Sequence, residues 1–261
     1  MKYINYLKSR NLSNNTIKSY LLWSKKWDIF LNNKAPNKTL LARFVKLLQN
    51  KKMKPATIHL AYFAIKNYLQ FKKYKFVFYL DIRLPKQVEI KRTIIGREKI
   101  LNELKKLNLL NFYEKRLFTI IYILLNTGIR AFELINLKWE DFDQNKILIK
   151  GKGNKFRYVY INESFFKLIN FQTKGYVIKS LKNKKISQKQ LNLIIREFSK
   201  KIGIYFTPHD LRRSFCTHLI RNNCNIKIIQ ILMGHSNIAV TSRYICLTEY
   251  EISNAYNNIF N

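Results

Sequence analysis

Apolar residues recur at helical spacing through the first 80 or so residues of the chain. The pattern predicts helices over 13–32 and 39–49, with Ser13 as the N-cap of the first. A third helix is predicted to begin at Pro55, because proline favours the first position of a helix. Together these segments predict a small all-helical domain. One face of the first helix carries Ile17, Tyr20, Leu21, Trp27 and Leu31.

The helical pattern stops at 84–94, where Pro85 and mixed charges interrupt it. We interpret this stretch as a linker between a domain of residues 1–83 and a second domain of residues 95–261. Helical spacing then returns in segments predicted at 97–107, 113–126, 188–201, 208–222 and 226–232. Three of these helices are predicted to close at Gly128, Gly203 and Gly234.

Two short runs typical of β-strands lie between these helices. KILIK (146–150) and KFRYVYI (155–161) are joined by GKGN (151–154), which is a hairpin signal. Further along, Thr207 followed by Pro208 marks the start of a helix. The second domain is therefore predicted to be mainly helical with one small antiparallel sheet.

The chain is strongly basic, with 49 Lys and Arg against 15 Asp and Glu and a formal net charge of +34. A composition typical of AT-rich genomes explains part of the lysine count, but not the scarcity of acidic residues. The balance points to a polyanionic partner, for which nucleic acid is the default candidate. Residues 1–100 carry net +19 and residues 201–261 only +3, so we expect the N-terminal part to supply most of the electrostatic attraction.

Other features argue against a secreted or membrane protein. The first ten residues have no apolar core of a signal peptide, and the longest apolar run, 117–125, is too short to span a bilayer. Cys216, Cys224 and Cys246 show no CxxC spacing, so we expect reduced thiols and neither disulfides nor metal ligands. The sequence predicts a soluble, intracellular protein.

Four short stretches carry the candidate chemistry: TGIRAFELINLKWEDFD (127–143), GKGNKFRYV (151–159), TPHDLRRSFCTHL (207–219) and MGHSNIAVTSRYI (233–245). In order and spacing they resemble the catalytic motifs of the tyrosine recombinase family, also called phage-type integrases. Each motif alone is weak, whereas four in register are specific. The resemblance is close over 95–261. The N-terminal helices are similar only in general layout to the core-binding domain of Xer-like recombinases.

The resemblance implies a set of catalytic residues, which we carry over by motif: Arg130, Lys152, His209, Arg212, His235 and the nucleophile Tyr244. Glu133 matches an acidic position that commonly follows the first arginine. The family acts without metal or ATP, and no sequence motif for either is visible. The resemblance also implies a SAM-like N-terminal fold beside the mostly helical catalytic domain.

The same residue types suit phosphodiester chemistry on general grounds. The transition state is anionic, and the planar fork of arginine donors matches two phosphate oxygens. Arginine is the minority basic residue, 13 of 49. A match at Arg130 or Arg212 by chance surface charge is therefore rarer than a match at any lysine. An isolated arginine in a protein is more often solvated or ion-paired. Two arginines in two motifs that are in register favour a functional role over this alternative.

The nucleophile and its proton acceptor are the next candidates. The chain has 16 tyrosines, and Tyr244 is distinguished by lying nine residues after His235 and close to the C-terminus. A phenol has a pKa of about 10, so a base must take its proton during attack. His209 is the natural acceptor, and His235 is expected to donate to a phosphate oxygen. His59 and His218 lie outside the motifs and are interpreted as structural.

Lys152 is the least specific assignment, because a lysine in a turn is a common match among 36 lysines. The role required is a general acid that protonates the departing 5′ oxygen. Lys155 is the alternative in the same hairpin. The chain departs from the family pattern at two places. The strand after GKGN reads YVYI, where relatives often have a proline, and the stretch 171–187 is shortened relative to the family.

The sequence thus predicts a clamp on double-stranded DNA, with 1–83 contacting one side and 95–261 the other. The resemblance implies a homotetramer, or a heterotetramer with a related recombinase, acting on two sites. Ile252, Tyr256 and Ile259 at helical spacing are equally compatible with docking on a neighbour or on their own subunit. The expected location is the cytoplasm with the nucleoid, or an organelle matrix or stroma if organelle-encoded.

Two alternatives remain open at this point. A type IB topoisomerase-like enzyme would use the same residues to cut and reseal one strand as a monomer. A catalytically silent DNA-binding protein would retain the fold without the chemistry, although the complete set of six motif residues argues against this. The target sequence and the biological role, whether chromosome-dimer resolution, integration or inversion, do not follow from the sequence.

Overall fold

A computed structural model describes residues 2–79, 81–86, 95–151, 155–169 and 172–234. The chain forms two compact units, Met1–Lys91 and Arg92–Asn261. Each unit has its own hydrophobic core.

All secondary structure in the described residues of the first unit is helical. Its helices are α1 (Tyr3–Ser9), α2 (Asn14–Leu31), α3 (Lys38–Asn50) and α4 (Pro55–Phe71), followed by a 3₁₀ turn at Lys75–Tyr79. Ser13 caps α2 as predicted, since its side chain accepts from the Thr16 N–H at 3.2 Å. Helix α1 was not predicted, because seven residues give too little periodicity. The core is built on Trp27, Leu41, Ile58 and Ile65, which are fully buried.

The start of the predicted linker packs on this first unit. The His59 ring lies with Nε2 2.9 Å from the Pro85 carbonyl, and Leu84 packs against the same core. His59 thus has a structural contact within the unit. Residues 87–94 lie outside the described residues.

The second unit begins with α5 (Arg97–Lys105), α6 (Phe112–Thr127) and α7 (Ala131–Asn136). Three strands follow, β1 (Phe142–Asp143), β2 (Lys146–Lys150) and β3 (Phe156–Tyr160). Then come α8 (Ser164–Leu168), α9 (Gln188–Lys201), α10 (Pro208–Arg221) and α11 (Ile226–Met233). The short elements α7, β1 and α8 were not predicted, whereas the longer helices and the β2–β3 pair were.

The sheet is antiparallel in the order β1-β2-β3. In its register Ile147 faces Val159 and Ile149 faces Arg157. Ile147, Ile149 and Val159 are buried, so the inner face of the sheet joins the core of the unit. Gly151 N–H donates to the Lys155 carbonyl at 2.7 Å, which closes the base of the predicted hairpin. Residues 152–154 lie outside the described residues.

Helices α9 and α10 start with reciprocal caps that the sequence signals. Thr207 accepts from the Asp210 N–H at 3.4 Å, and the Asp210 carboxylate accepts from the Thr207 N–H at 3.0 Å. Helix α10 buries Cys216, and burial raises the pKa of this thiol to about 12. Cys224 is also a free thiol, and Cys246 lies outside the described residues.

Within the described ranges, no helix combines the length and the apolar character that crossing a bilayer requires. The same part of the chain contains no group of three or more His, Cys, Asp or Glu side chains that could hold a metal ion.

Candidate active site

Arg130 follows a tight turn whose backbone requires a glycine at position 128. Helix α6 ends at Gly128, whose φ of 63° is left-handed, and Arg130 caps the next helix, α7. A Cβ atom at Gly128 would lie 2.2 Å from Cδ1 of Phe215 on α10. The backbone of the Thr-Gly-Ile-Arg turn therefore approaches α10 closely because residue 128 has no side chain.

Glu133 is a buried carboxylate between two arginines. It accepts from the Arg130 N–H at 2.7 Å and from Arg130 Nη1 at 3.1 Å. Its two oxygens also accept from Arg157 Nη1 at 2.9 Å and Nη2 at 2.8 Å. Burial alone would raise the pKa of Glu133, but the hydrogen bonds from Arg157 and from the Arg130 backbone, with both positive charges, hold it below the ordinary value.

Arg212 is almost completely buried, with 3% of its surface exposed. Its position on α10 directs the guanidinium to two backbone carbonyls. Nη1 donates to Gly128 O, and Nη2 donates to Met233 O at the end of α11. Arg212 thereby links the turn before Arg130 to the end of α11.

The end of α11 is capped by three arginines from three different motifs. Leu232 O accepts from Arg157 Nε at 2.9 Å, and Gly234 O accepts from Arg130 Nη2 at 3.0 Å. The carbonyl between them, that of Met233, is the one that accepts from Arg212. The last carbonyls of a helix lack helical partners and carry partial negative charge, so guanidinium groups are well matched to them. We call this arrangement the three-arginine cap.

The model of the phage integrase family matches residues 97–250. This span covers more than half of the chain.

The chain belongs to the phage integrase family.

Relatives along nearly the whole chain agree with this assignment. The tyrosine recombinase XerA of Pyrococcus furiosus is 30% identical over 277 residues, which covers 97% of this chain and 91% of that protein. XerA of Pyrococcus horikoshii is 27% identical over 273 residues, covering 97% and 90%. The prediction of a Xer-like tyrosine recombinase, an enzyme that breaks and rejoins DNA, is confirmed.

The fold of the recombinase is also that of solved integrases. The integrase of the Tn1549 transposon, solved in complex with circular intermediate DNA, matches with a TM-score of 0.75 at 18% identity. The match covers 99% of this chain and 98% of that one. The predicted fold class, mainly helical with a small antiparallel sheet, is confirmed.

Three of the six predicted site residues fall within the described part of the recombinase. Arg130 and Arg212 meet at the three-arginine cap, where both donate to the end of α11. His209 lies on the first turn of α10, exposed and three residues before Arg212. Residues three apart share a helix face, so α10 presents both to the same side. The catalytic roles themselves stay predictions.

Lys152, His235 and Tyr244 lie outside the described residues. The described chain stops on either side of Lys152, at Gly151 and Lys155, and before His235, at Gly234. Gly234 closes α11 with a φ of 62°, so α11 ends where the sequence predicted.

Arg157 is the residue of this site that the sequence interpretation missed. Strand β3 alternates, and Arg157 shares its inward face with the buried Val159. An arginine on the inward face of a half-buried strand signals a buried partner, because an isolated buried charge is costly. That partner, Glu133, lies 24 residues away in the chain, and sequence spacing does not reveal it.

Proposed function

We propose that the chain is a site-specific recombinase that cuts DNA by attack of Tyr244 on a phosphodiester. The phenolic oxygen of Tyr244 bonds to phosphorus while the bond from phosphorus to the 5′ oxygen breaks. This leaves a 3′-phosphotyrosyl bond and a free 5′ hydroxyl. Attack by a 5′ hydroxyl of another strand reverses the step and releases Tyr244. The single observation that carries the proposal is the three-arginine cap.

The cap supports the proposal because it joins dispersed motifs at one place. Arg130 and Arg212, which are 82 positions apart by their numbering, both hold the end of α11. The chain continues from that end directly into the Gly-His-Ser motif and reaches Tyr244 ten residues later. A phosphate bound near both guanidiniums would therefore lie near the point at which the segment that carries the nucleophile begins.

Arg130 suits the task of stabilising the charge of the phosphorane. Its side chain is 43% exposed, although Glu133 and Gly234 O hold part of the guanidinium. Guanidinium has five N–H donors, so donors remain for phosphate oxygens. Preorganised donors of this kind stabilise the developing charge without a cost of reorganisation. The buried Arg212, which holds the neighbouring carbonyl of Met233, adds a second positive charge.

Proton transfers complete the proposed reaction. His209, exposed on α10, would accept the phenolic proton of Tyr244. Lys152 at the tip of the β2–β3 hairpin would protonate the departing 5′ oxygen. His235 would donate a hydrogen bond to a phosphate oxygen. No step of this scheme calls for a metal ion or a nucleotide cofactor.

Double-stranded DNA is the proposed partner, and the N-terminal domain of 1–83 is proposed to hold it with the catalytic domain of 95–261. The net +19 of residues 1–100 supports this division. The Tn1549 integrase was solved with DNA, which agrees with the same class of partner. We also propose assembly into a tetramer on two sites, and an enzyme located with the nucleoid or with an organelle genome.

A covalent trapping experiment tests the proposed chemistry. A pool of random duplexes is first used to select the sequence that the full chain binds, and a nicked version of that duplex then traps the cleaved state. Wild type should form a protein–DNA adduct, and Tyr244→Phe should bind equally well without forming one. The controls are Tyr250→Phe and Tyr256→Phe, which should retain the adduct. An adduct that persists in Tyr244→Phe would assign the nucleophile elsewhere.

A further inference from the structure

We propose that Arg157 is a positioning residue of the cleavage reaction, which holds Arg130 and the end of α11 in their reactive arrangement without touching the DNA. The inference rests on the proposed function, since it names a further residue that the same site needs. Arg157 lies within the GKGNKFRYV stretch but is none of the six residues carried over by motif, and the charge pattern does not single it out.

Burial sets Arg157 apart from a surface charge. Its side chain is only 9% exposed, compared with 43% for Arg130. Removing a guanidinium from water is costly, and the cost is offset only when its donors are satisfied. A charge held this deep is therefore committed to its protein partners.

The contacts of Arg157 use the full arginine fork. Both terminal nitrogens bind Glu133 in a bidentate pair at 2.9 and 2.8 Å, while Nε donates to Leu232 O at 2.9 Å. Three directed hydrogen bonds from one planar group fix the relative positions of β3, α7 and the end of α11. A lysine carries the same charge but has a single nitrogen, so it cannot span these acceptors.

Arg130 depends on Arg157 through both of its own anchors. The first anchor is Glu133, which receives the Arg130 N–H and Nη1 and is itself held by Arg157. The second is Gly234 O, which accepts from Arg130 Nη2. Gly234 packs on Arg157 so closely that a Cβ there would lie 3.0 Å from the Arg157 side chain. Removal of Arg157 would loosen both anchors together.

The position of Arg157 on β3 also connects the β2–β3 hairpin to Arg130 and the end of α11. Arg157 lies on β3 five residues after Lys152 in the chain. Its bonds to Glu133 and Leu232 thus tie the strand that carries the hairpin to the arginine cap. We expect the reacting groups to lose alignment, and not the DNA to lose its binding surface, when this link is absent.

The experiment compares cleavage with binding in the full chain. Arg157→Ala should form the covalent adduct with the selected nicked duplex about a hundredfold more slowly under single-turnover conditions, the scale expected for a misplacement of about 1 Å. Its dissociation constant for the same duplex should change by no more than about twofold, since Arg157 contacts only protein groups. Arg196→Ala removes the same charge from an exposed position on α9 and should behave as wild type.

Chemical rescue separates positioning from a general structural role. Guanidinium ion at millimolar concentration should restore part of the cleavage rate of Arg157→Ala, because it can occupy the vacated site between Glu133 and Leu232 O. It should not accelerate wild type or Arg196→Ala. Arg157→Lys keeps a charge in the site and preserves folding if Arg157→Ala proves unstable; it should bind DNA normally, cleave slowly and resist rescue.

The outcomes are distinct. Cleavage by Arg157→Ala and Arg157→Lys within about twofold of wild type would overturn the positioning role, as would parallel losses of folding, binding and cleavage without rescue. Wild type that forms no adduct at all would overturn the proposed function, and this inference with it. Slow cleavage with intact binding and guanidinium rescue supports the positioning role.

Discussion

Arg130 Nη2 donates to the carbonyl of Gly234 at 3.0 Å, although the two residues are 104 positions apart in the chain. This bond joins the first motif of the site to the beginning of the last. It belongs to the three-arginine cap, in which Arg212 and Arg157 hold the two preceding carbonyls. The end of α11 is therefore the common contact of three motifs that lie far apart in the sequence.

Because the backbone at Gly128 lies close to α10, we expect one added methyl group at this position to lower the stability of the protein strongly. Gly128→Ala would place a Cβ 2.2 Å from Phe215 at a φ of 63°, and the shift would move the carbonyl that Arg212 holds. Gly203→Ala is a matched control, because Gly203 has a φ of 69° but open space around its Cβ. Chemical denaturation should show Gly128→Ala less stable than Gly203→Ala by about 1–3 kcal/mol, the usual cost of overpacking.

Cleavage assays complete the comparison of the two glycines. Gly128→Ala should cleave the selected duplex more slowly than wild type, whereas Gly203→Ala should retain the wild-type rate. Equal stability and equal cleavage in both variants would contradict the tight turn against α10.

The buried Glu133 predicts a pH-dependent stability. The pKa of Glu133 in the folded protein is held below its ordinary value. The ionised carboxylate therefore contributes fully to the free energy of unfolding above the unfolded-state pKa of about 4.3, and this contribution is lost as the pH falls through the folded-state pKa. Glu133→Gln leaves two guanidiniums without their shared counter-charge and should destabilise the protein by about 3–5 kcal/mol at pH 7. The difference from wild type should shrink as the pH is lowered below about 4.

Urea denaturation at a series of pH values measures this effect. Glu197→Gln, an exposed carboxylate on α9, serves as the control and should stay close to wild type throughout. A gap between wild type and Glu133→Gln that is constant with pH would show that the carboxylate charge is not what stabilises the site.

The role of Lys152 predicts a substrate-specific rescue. If Lys152 protonates the departing 5′ oxygen, Lys152→Ala should cleave ordinary DNA about 10²–10⁴-fold more slowly. A bridging 5′ sulfur leaves as a thiolate, whose conjugate acid has a pKa of about 8.5, and needs no proton near neutral pH. On that substrate Lys152→Ala should cleave at nearly the wild-type rate, while Arg130→Ala should stay slow because the phosphorane charge is unchanged.

Lys155→Ala is the matched control in the same hairpin. Rescue of Lys155→Ala in place of Lys152→Ala would move the general acid to Lys155. A Lys152→Ala variant that stays slow on the sulfur substrate would indicate a lysine that positions phosphate instead.

The charge of the N-terminal part predicts steeply salt-dependent DNA binding. Residues 1–100 carry net +19, and each phosphate neutralised contributes about 0.9 to the slope of log affinity against log salt. A truncated protein of residues 95–261 keeps its own core and should fold, yet it should bind more weakly and with a shallower slope. Fluorescence anisotropy with labelled duplex at several salt concentrations measures both. Equal affinity of the two proteins at moderate salt would contradict the clamp.

Local signals made much of this fold predictable. The caps at Ser13 and Thr207 and the glycines at 128 and 234 mark helix ends because a few neighbouring residues decide them. The β2–β3 pair followed from alternation around GKGN. Helix α7 escaped prediction because its six residues give less than two turns of periodicity.

The residues of the candidate site likewise divide into those that local sequence signals predict and those that depend on long-range contacts. Motif spacing indicated Arg130, His209 and Arg212, because each belongs to a recognisable local pattern. Arg157 was missed because its significance lies in contacts with Glu133 and Leu232, which are 24 and 75 residues away. The hydrogen bonds of the cap go to backbone carbonyls, and a backbone acceptor leaves no trace in residue identity.

The three-arginine cap also has a consequence for how this protein can change during evolution. The arginines contact the carbonyls of residues 232–234 and not their side chains, so substitution of Leu232 leaves every acceptor in place. An insertion or deletion within α11 is different, since one residue turns the helix by about 100°. All three acceptors would then point away from their donors at once. We therefore expect lineages of this protein to tolerate substitution of Leu232 while preserving the length of α11.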